Sequence, residues 1–170
     1  MPERKKPTAR FAIVFMLVLA CIAFGVYLTF STFQRSMALE RRDVSRHNME
    51  LIFRALDAYL WKNNGKYPEH ASQFTQMGLP AASLIHPAWP DQPGYIYIPG
   101  ARASDNVEYT IVAYENVPDR KRKQGIMVLK RGGIINKETE SNFTRKLNEQ
   151  EAAWKKDGRI WMPEMMVPDK

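Results

Sequence analysis

Three histidines, one cysteine, a run of cations and a group of aromatics are the places where this chain could do chemistry. His47, His70 and His86 stand far apart and lack a spacing such as His-x-x-x-His, so no zinc site is expected. His86 with Asp91, or His70 with Glu69, are the pairings open to acid–base work, but residues of these types in Pro-rich loops ordinarily lie at the surface. With no Gly-rich phosphate loop, nucleophile elbow or carboxylate pair, the reading is a protein that is not an enzyme and takes no cofactor. Arg120, Lys121, Arg122 and Lys123, in "DRKRK", form a candidate interaction loop. Its plainest role is a solvated hairpin loop; its sharper one is attraction to anionic lipid headgroups, a polyanionic wall polymer or an acidic partner. Trp89, Tyr95 and Tyr97 make a candidate aromatic binding surface for a solute or glycan. "NFT" at 142 matches a glycosylation acceptor, a short pattern that also occurs by coincidence. Cys21 is the sole cysteine, so no intramolecular disulfide forms.

The elements that position these residues begin in the membrane. Residues 11–34, "FAIVFMLVLACIAFGVYLTFSTFQ", contain no charge, and at ~1.5 Å per residue they cross a hydrocarbon core of roughly 30 Å. Residues 1–10 are a basic stub holding Arg4, Lys5, Lys6 and Arg10. The run exceeds a signal-peptide core of about 7–15 residues, which favours a permanent single-pass anchor. "VLAC" offers a rival reading with Cys21 lipidated, but Ile22 to Phe30 are apolar where a polar linker would be needed. Arg35, Arg41, Arg42 and Arg46 balance the cations on the near side, and the short tail is read as a cytoplasmic stub, with the C-terminal domain on the far side of the membrane. Of the net charge of +7, residues 1–35 carry +4, with five cations and one anion, leaving +3 for the other 135. The basic balance is mostly the anchor's, and nucleic acid is not an expected partner.

No Pro or Gly follows Gly25 until Gly65, and residues 35–64 keep helical spacing, with Val44, Leu51, Ile52, Ala55, Leu56, Tyr59 and Leu60 near one face. Anchor and amphipathic segment read as one helix of roughly 80 Å. Asn64-Gly65 ends it, Gly supplying the positive φ, and Pro68 forbids its resumption. Residues 65–170 form the domain. A Pro-rich but apolar loop with a short helix near Ala71 to Met77 leads to strands at 95–99, 107–115, 125–130 and 133–137, whose short connections imply antiparallel pairing. A last helix starts at an N-cap Ser141 and stops before Gly158. Ile160, Trp161, Met162, Met165 and Met166 then pack the tail onto the domain. The expected fold is α+β: a long N-terminal helix, membrane-spanning in its first half, packed on a small antiparallel sheet, with a C-terminal helix.

Leu56, Tyr59, Asn64, Gly65, Tyr67 and Pro68, followed by Trp89, Pro93, Tyr95 and Tyr97, give an order of motifs that resembles the pseudopilins of type II secretion and their type IV pilin relatives. "HPAWPDQPGYIY" is similar to a shuffled form of that family's Asp-Pro-Trp-Gly-x-Pro-Tyr. "IVAYENVPDRKRKQGIMVLKRGGIINK" is similar to the C-terminal end of a pseudopilin-like bacterial family with a loop histidine, here near Lys121, and an Asp-Gly, here at Arg131. The resemblance implies a structural or protein-interaction component of a secretion or envelope assembly in the bacterial inner membrane, with the bilayer, other pseudopilins or secretion-system proteins as partners and small homo-oligomers as a further expectation. Some pseudopilins hold calcium in a C-terminal loop, yet no Asp cluster here supplies six to eight oxygens. Arg10 stands where the family's peptidase needs Gly, and Phe15 where its assembly glutamate would be. Filament building by the pilin route is therefore not expected. The competing reading is a membrane-tethered binding module, and a third is a small hydrolase.

Overall fold

The computed structural model describes residues 9–118 and 125–167, without the side chains of 9–12 and 75. The chain divides into two compact units, residues 1–40 and 41–170. Helix α1, Ala9–Lys62, contributes to both. In the first unit it is long and apolar enough to cross a membrane, and its apolar side chains from Ile13 to Phe33 are exposed. The hydroxyls within this stretch are satisfied by the helix itself: Thr29 donates to Gly25 O at 3.1 Å and Thr32 to Leu28 O at 3.1 Å. These Thr hydroxyls do not have to find water, which suits a helix in hydrocarbon.

In the second unit the buried stripe of α1 is Ser45, Asn48, Met49, Ile52 and Leu56, at spacings of three and four that bring one face round. Val44, expected on that face, is exposed, because two polar residues take the neighbouring buried positions. At the C-terminal end both Asn64 (φ 56°) and Gly65 (φ 76°) are left-handed, and the helix stops at this pair. Gly65 N–H closes on Leu60 O at 2.8 Å, and the Asn63 side-chain amide donates to Tyr59 O at 2.8 Å. These bonds satisfy carbonyls that the helix leaves without partners. Pro68 is then pinned by Tyr97, whose hydroxyl donates to Pro68 O at 2.8 Å.

After the short helix α2, Gln73–Gln76, and a single 3-10 turn, Ala81–Leu84, strands β1 (Ile85–His86) and β2 (Trp89–Pro93) form a small antiparallel ribbon. The main sheet holds β3 (Tyr95–Tyr97), β4 (Ile111–Glu115), β5 (Ile126–Lys130), β6 (Ile135–Glu138) and β7 (Glu164–Met165). Their order is β6-β5-β4-β3-β7, antiparallel throughout. The strand expected at 107–115 is shorter, because Asn106 opens a turn: its side-chain oxygen accepts from Glu108 N–H at 2.8 Å and its carbonyl from Thr110 N–H at 3.0 Å. Helix α3, Glu140–Lys156, is capped by Thr139 rather than Ser141, and it ends with Gly158 left-handed and Arg159 N–H on Trp154 O at 2.8 Å.

Side chains alternate across the sheet. Tyr95, Tyr97, Ala113 and Glu115 share one face by register, and Ser45 of α1 reaches Tyr95 and Glu115 there. Tyr114 points the other way, against Phe143 of α3 with ring centroids 4.9 Å apart. The fold is thus α+β with a helix on each face of the sheet. The tail is only partly packed: Met166 is buried and Trp161 meets Trp154, but Ile160, Met162 and Met165 are exposed because alternate residues face outward.

Gly94 marks the tightest passage. A Cβ there would sit 2.3 Å from His86 N and 2.8 Å from Leu84 O, both backbone atoms that cannot swing aside. Gly94→Ala is expected to destabilise the second unit by about 3 kcal/mol, read from denaturant melts against the unsubstituted chain. An unchanged midpoint would show that the β1–β3 junction gives way freely.

Candidate functional site

Among the described residues, two places gather polar side chains from distant parts of the chain. The first is buried between α1, β1 and β4. The Glu115 carboxylate accepts from Ser45 Oγ, from His86 Nε2 at 3.2 Å and from the Met127 N–H at 2.8 Å. Ala88 N–H donates to His86 Nδ1 at 3.0 Å, which places the ring's proton on Nε2, facing Glu115. The Tyr95 hydroxyl bonds Ser45 Oγ at 3.2 Å. Burial alone would push Glu115 up, yet the hydrogen bonds from His86, Ser45 and the Met127 amide hold it below the ordinary carboxylate range. Burial pushes Tyr95 up to about 12, against the hydrogen bonds from Ser45 and Asn48.

Ser, His and Glu are the residue types of a hydrolytic triad, but their order here differs. The carboxylate lies between hydroxyl and imidazole, and the imidazole's other nitrogen is occupied by a backbone amide. A nucleophilic relay needs the imidazole beside the hydroxyl. The arrangement instead solvates one buried anion with three donors.

The second site is an open cleft of about 760 Å³ where residues 65–70, 99–103 and 159–164 meet. Tyr67, Pro99 and Ala101 are its buried lining, Ile160 and Met162 an exposed apolar wall, and Lys66 and Arg102 its outer cations. Two arginines hold the wall formed by residues 99–106. Arg131 donates to the carbonyls of Ala103 at 2.6 Å and Asp105 at 3.0 Å. Arg159 grips both oxygens of Asp105 at 2.7 and 2.8 Å while its guanidinium lies 5.1 Å from the centre of the Trp154 ring. Burial opposes the charge on Asp105, but the Arg159 bonds prevail and hold its carboxyl low. On the opposite side Glu164 accepts from Ala71 N–H at 2.7 Å and meets His70 Nδ1 at 3.0 Å. The walls are therefore preformed, which lowers the ordering cost of binding.

The residues singled out in the sequence fare differently. Tyr95 and Tyr97 are 0% exposed and belong to the core, so the aromatic binding surface does not exist as such. Trp89 is half-buried and stacks on His86 at 4.0 Å between ring centroids. Arg120, Lys121, Arg122 and Lys123 lie outside the described residues. His86 pairs with Glu115 instead of Asp91, and His70 with Glu164 instead of Glu69. Cys21 is a free thiol on the apolar part of α1. Among the described residues no group of three or more His, Cys, Asp or Glu is placed to hold a metal ion. Glu115, Ser45, Arg159 and Asp105 carried no signal in the sequence, because the Ser45–Glu115, His86–Glu115 and Asp105–Arg159 pairings join side chains 29 to 70 residues apart. Compared with known protein families, with curated proteins and with solved structures, the chain matches none.

Proposed function

We propose that this chain is a single-pass, membrane-anchored, pilin-like protein acting as a non-enzymatic structural or interaction component of a bacterial secretion or envelope assembly. Its N-terminus faces the cytoplasm and residues 41–170 lie outside the inner membrane. The observation that carries this reading is that one helix passes from a charge-free run into a stripe, Ser45 to Leu56, that packs on a sheet of four sequential antiparallel strands with a fifth added from the tail. With Arg10 and Phe15 in place of the peptidase and assembly residues, the chain joins such an assembly as a monomer or small oligomer rather than as the filament's main subunit. A helix in lipid that lacks the buried glutamate has no amine–carboxylate pair to direct its stacking. Affinity capture of the full chain from membranes in mild detergent, followed by mass spectrometry, tests this. Pseudopilin-type or secretion-machine subunits are the expected companions; their consistent absence from the organism's own membranes would sink the reading.

The second reading, a tethered module for a solute or glycan, now rests on the preformed cleft rather than on Trp89, Tyr95 and Tyr97. Saturable binding of a sugar or small solute, abolished by Met162→Asp, would favour it.

A further inference from the structure

The β1–β2 ribbon is closed at its tip by one side chain. His86 pairs with Trp89 across the ribbon, so Pro87 and Ala88 form the turn between them. Proline has no N–H to place, and the Ala88 N–H turns back onto His86 Nδ1 at 3.0 Å. The other ring nitrogen, Nε2, donates to Glu115 at 3.2 Å, and Trp89 stacks on the ring with centroids 4.0 Å apart. His86 and Glu115 are both buried. The base of the ribbon is held by bonds that no side-chain titration reaches: Gly94 N–H donates to Leu84 O at 2.9 Å and the Asn116 side-chain amide to Pro93 O at 2.9 Å.

The two ring nitrogens respond oppositely to an added proton. Nε2 already turns its hydrogen toward an anion, and a positive ring strengthens that bond. Nδ1 holds the ring's one lone pair, and that lone pair is the acceptor of the Ala88 amide. Once Nδ1 carries a proton, two donors face each other and the amide has to leave. We propose that His86 is a proton-operated latch: with the ring neutral, Nδ1 closes the Pro87–Ala88 turn, and with the ring protonated the turn is released while Nε2 stays on Glu115.

The groups around the ring decide that it accepts the proton. Glu115 of β4 is the charged group facing it, and Tyr95 of β3, with its ring centroid 6.3 Å away, is the other titratable one. From α1, Val44, Asn48 and Leu51 line the groove beside His86 and carry no charge, as do Ala82 and Ser83 of the 3-10 turn. From β2 come Trp89 and Pro90, while Asp91 beyond them is exposed. An imidazolium here meets one anion at hydrogen-bond distance and the face of an indole, and both stabilise a cation. Ser45 and the Met127 N–H, which also donate to Glu115, help to keep that carboxylate ionised as pH falls. The latch therefore opens before the cage around Glu115 fails, and the change is confined to the tip of the ribbon.

The test uses the full chain in mild detergent, with isotopically labelled histidine, at about pH 8 and about pH 5, on either side of the range in which an imidazole changes charge. The exposed His47 and His70 are assigned with His47→Gln and His70→Gln, which leaves the signals of His86. At the upper pH these are expected to show a protonated Nε2 and a bare Nδ1, and at the lower pH both nitrogens protonated. Hydrogen exchange at Ala88, corrected for the intrinsic effect of pH, is expected to quicken about tenfold or more over the same interval, with β4 and β5 unchanged. His86→Asn separates the latch from a general loosening, because an Asn oxygen accepts the amide two residues on and does not titrate. Protection at Ala88 is then expected to be the same at both pH values; should this variant fold poorly, the unsubstituted chain decides by itself. A bare Nδ1 at the lower pH, a protonated Nδ1 with Ala88 still protected, or protection lost in β4 and β5 together with Ala88 would each overturn the latch. So would an unchanged pH response in a folded His86→Asn chain.

Discussion

Replacing Glu115 by Ala is expected to cost the second unit about 3–5 kcal/mol, because it strands three buried donors at once. His86, Ser45 and the Met127 amide all point at its carboxylate, and all belong to elements on which the sheet and α1 meet. Glu115→Gln keeps the volume but offers a single carbonyl oxygen to the same donors and turns an amide donor toward one of them. The two variants also differ from the unsubstituted chain in acid. Glu115 is held below its ordinary 4.5 in the folded unit, so the folded state binds its proton less readily than the unfolded chain. That stability is fully present above 4.5 and drains as pH falls through the lower folded value. Melts of the full chain between neutral and strongly acid pH are expected to show this loss, and Glu115→Gln to remove Glu115's share of it. A variant whose acid limb matched the parent's would show that the cage contributes nothing to stability.

Ile52→Asp is expected to be comparably damaging, by about 4 kcal/mol. Ile52 is 0% exposed on the buried stripe of α1, with Met49 and Leu56 a turn away on either side. A carboxylate there would lose its hydration, and the cations of α1, such as Arg46 and Arg54, lie on its exposed face. The change is local to the second unit, so hydrogen exchange in α1 should separate the outcomes. Protection lost across residues 45–56 and the sheet together is expected; protection retained in the sheet alone would mean that the helix does not stabilise it.

The α+β organisation was legible because it depends on patterns that neighbours in the chain can express. The charge-free run, the absence of Gly and Pro from 26 to 64, and the short β-branched and apolar runs "IVAYE" and "IMVLK" are each local patterns. Val44 shows where this stops. It is as apolar as Ile52, yet it is exposed while Ser45 and Asn48 are buried, because the sheet offers that part of the helix an anion and a tyrosine hydroxyl instead of a greasy surface. Tyr95 and Tyr97 show the same limit from the other side. A Tyr-x-Tyr strand shows that the two rings share a face, but not whether that face looks at α1 or at solvent.

By itself, then, the sequence determined the long helix with its apolar first half, its stop at Asn64 and Gly65, and a sheet of short antiparallel strands closed by a C-terminal helix. Those features follow from dihedral preferences and from apolar spacing within about ten residues. The tertiary structure alone decided which polar groups are buried together and which apolar ones are left in water. Glu115 acquires its donors from chain positions as distant as Ser45 and His86, and Arg159 reaches back to Asp105 to build one wall of the cleft. Burial and hydrogen bonding depend on the three-dimensional neighbours a residue is given, and no local pattern encodes a partner 50 residues away.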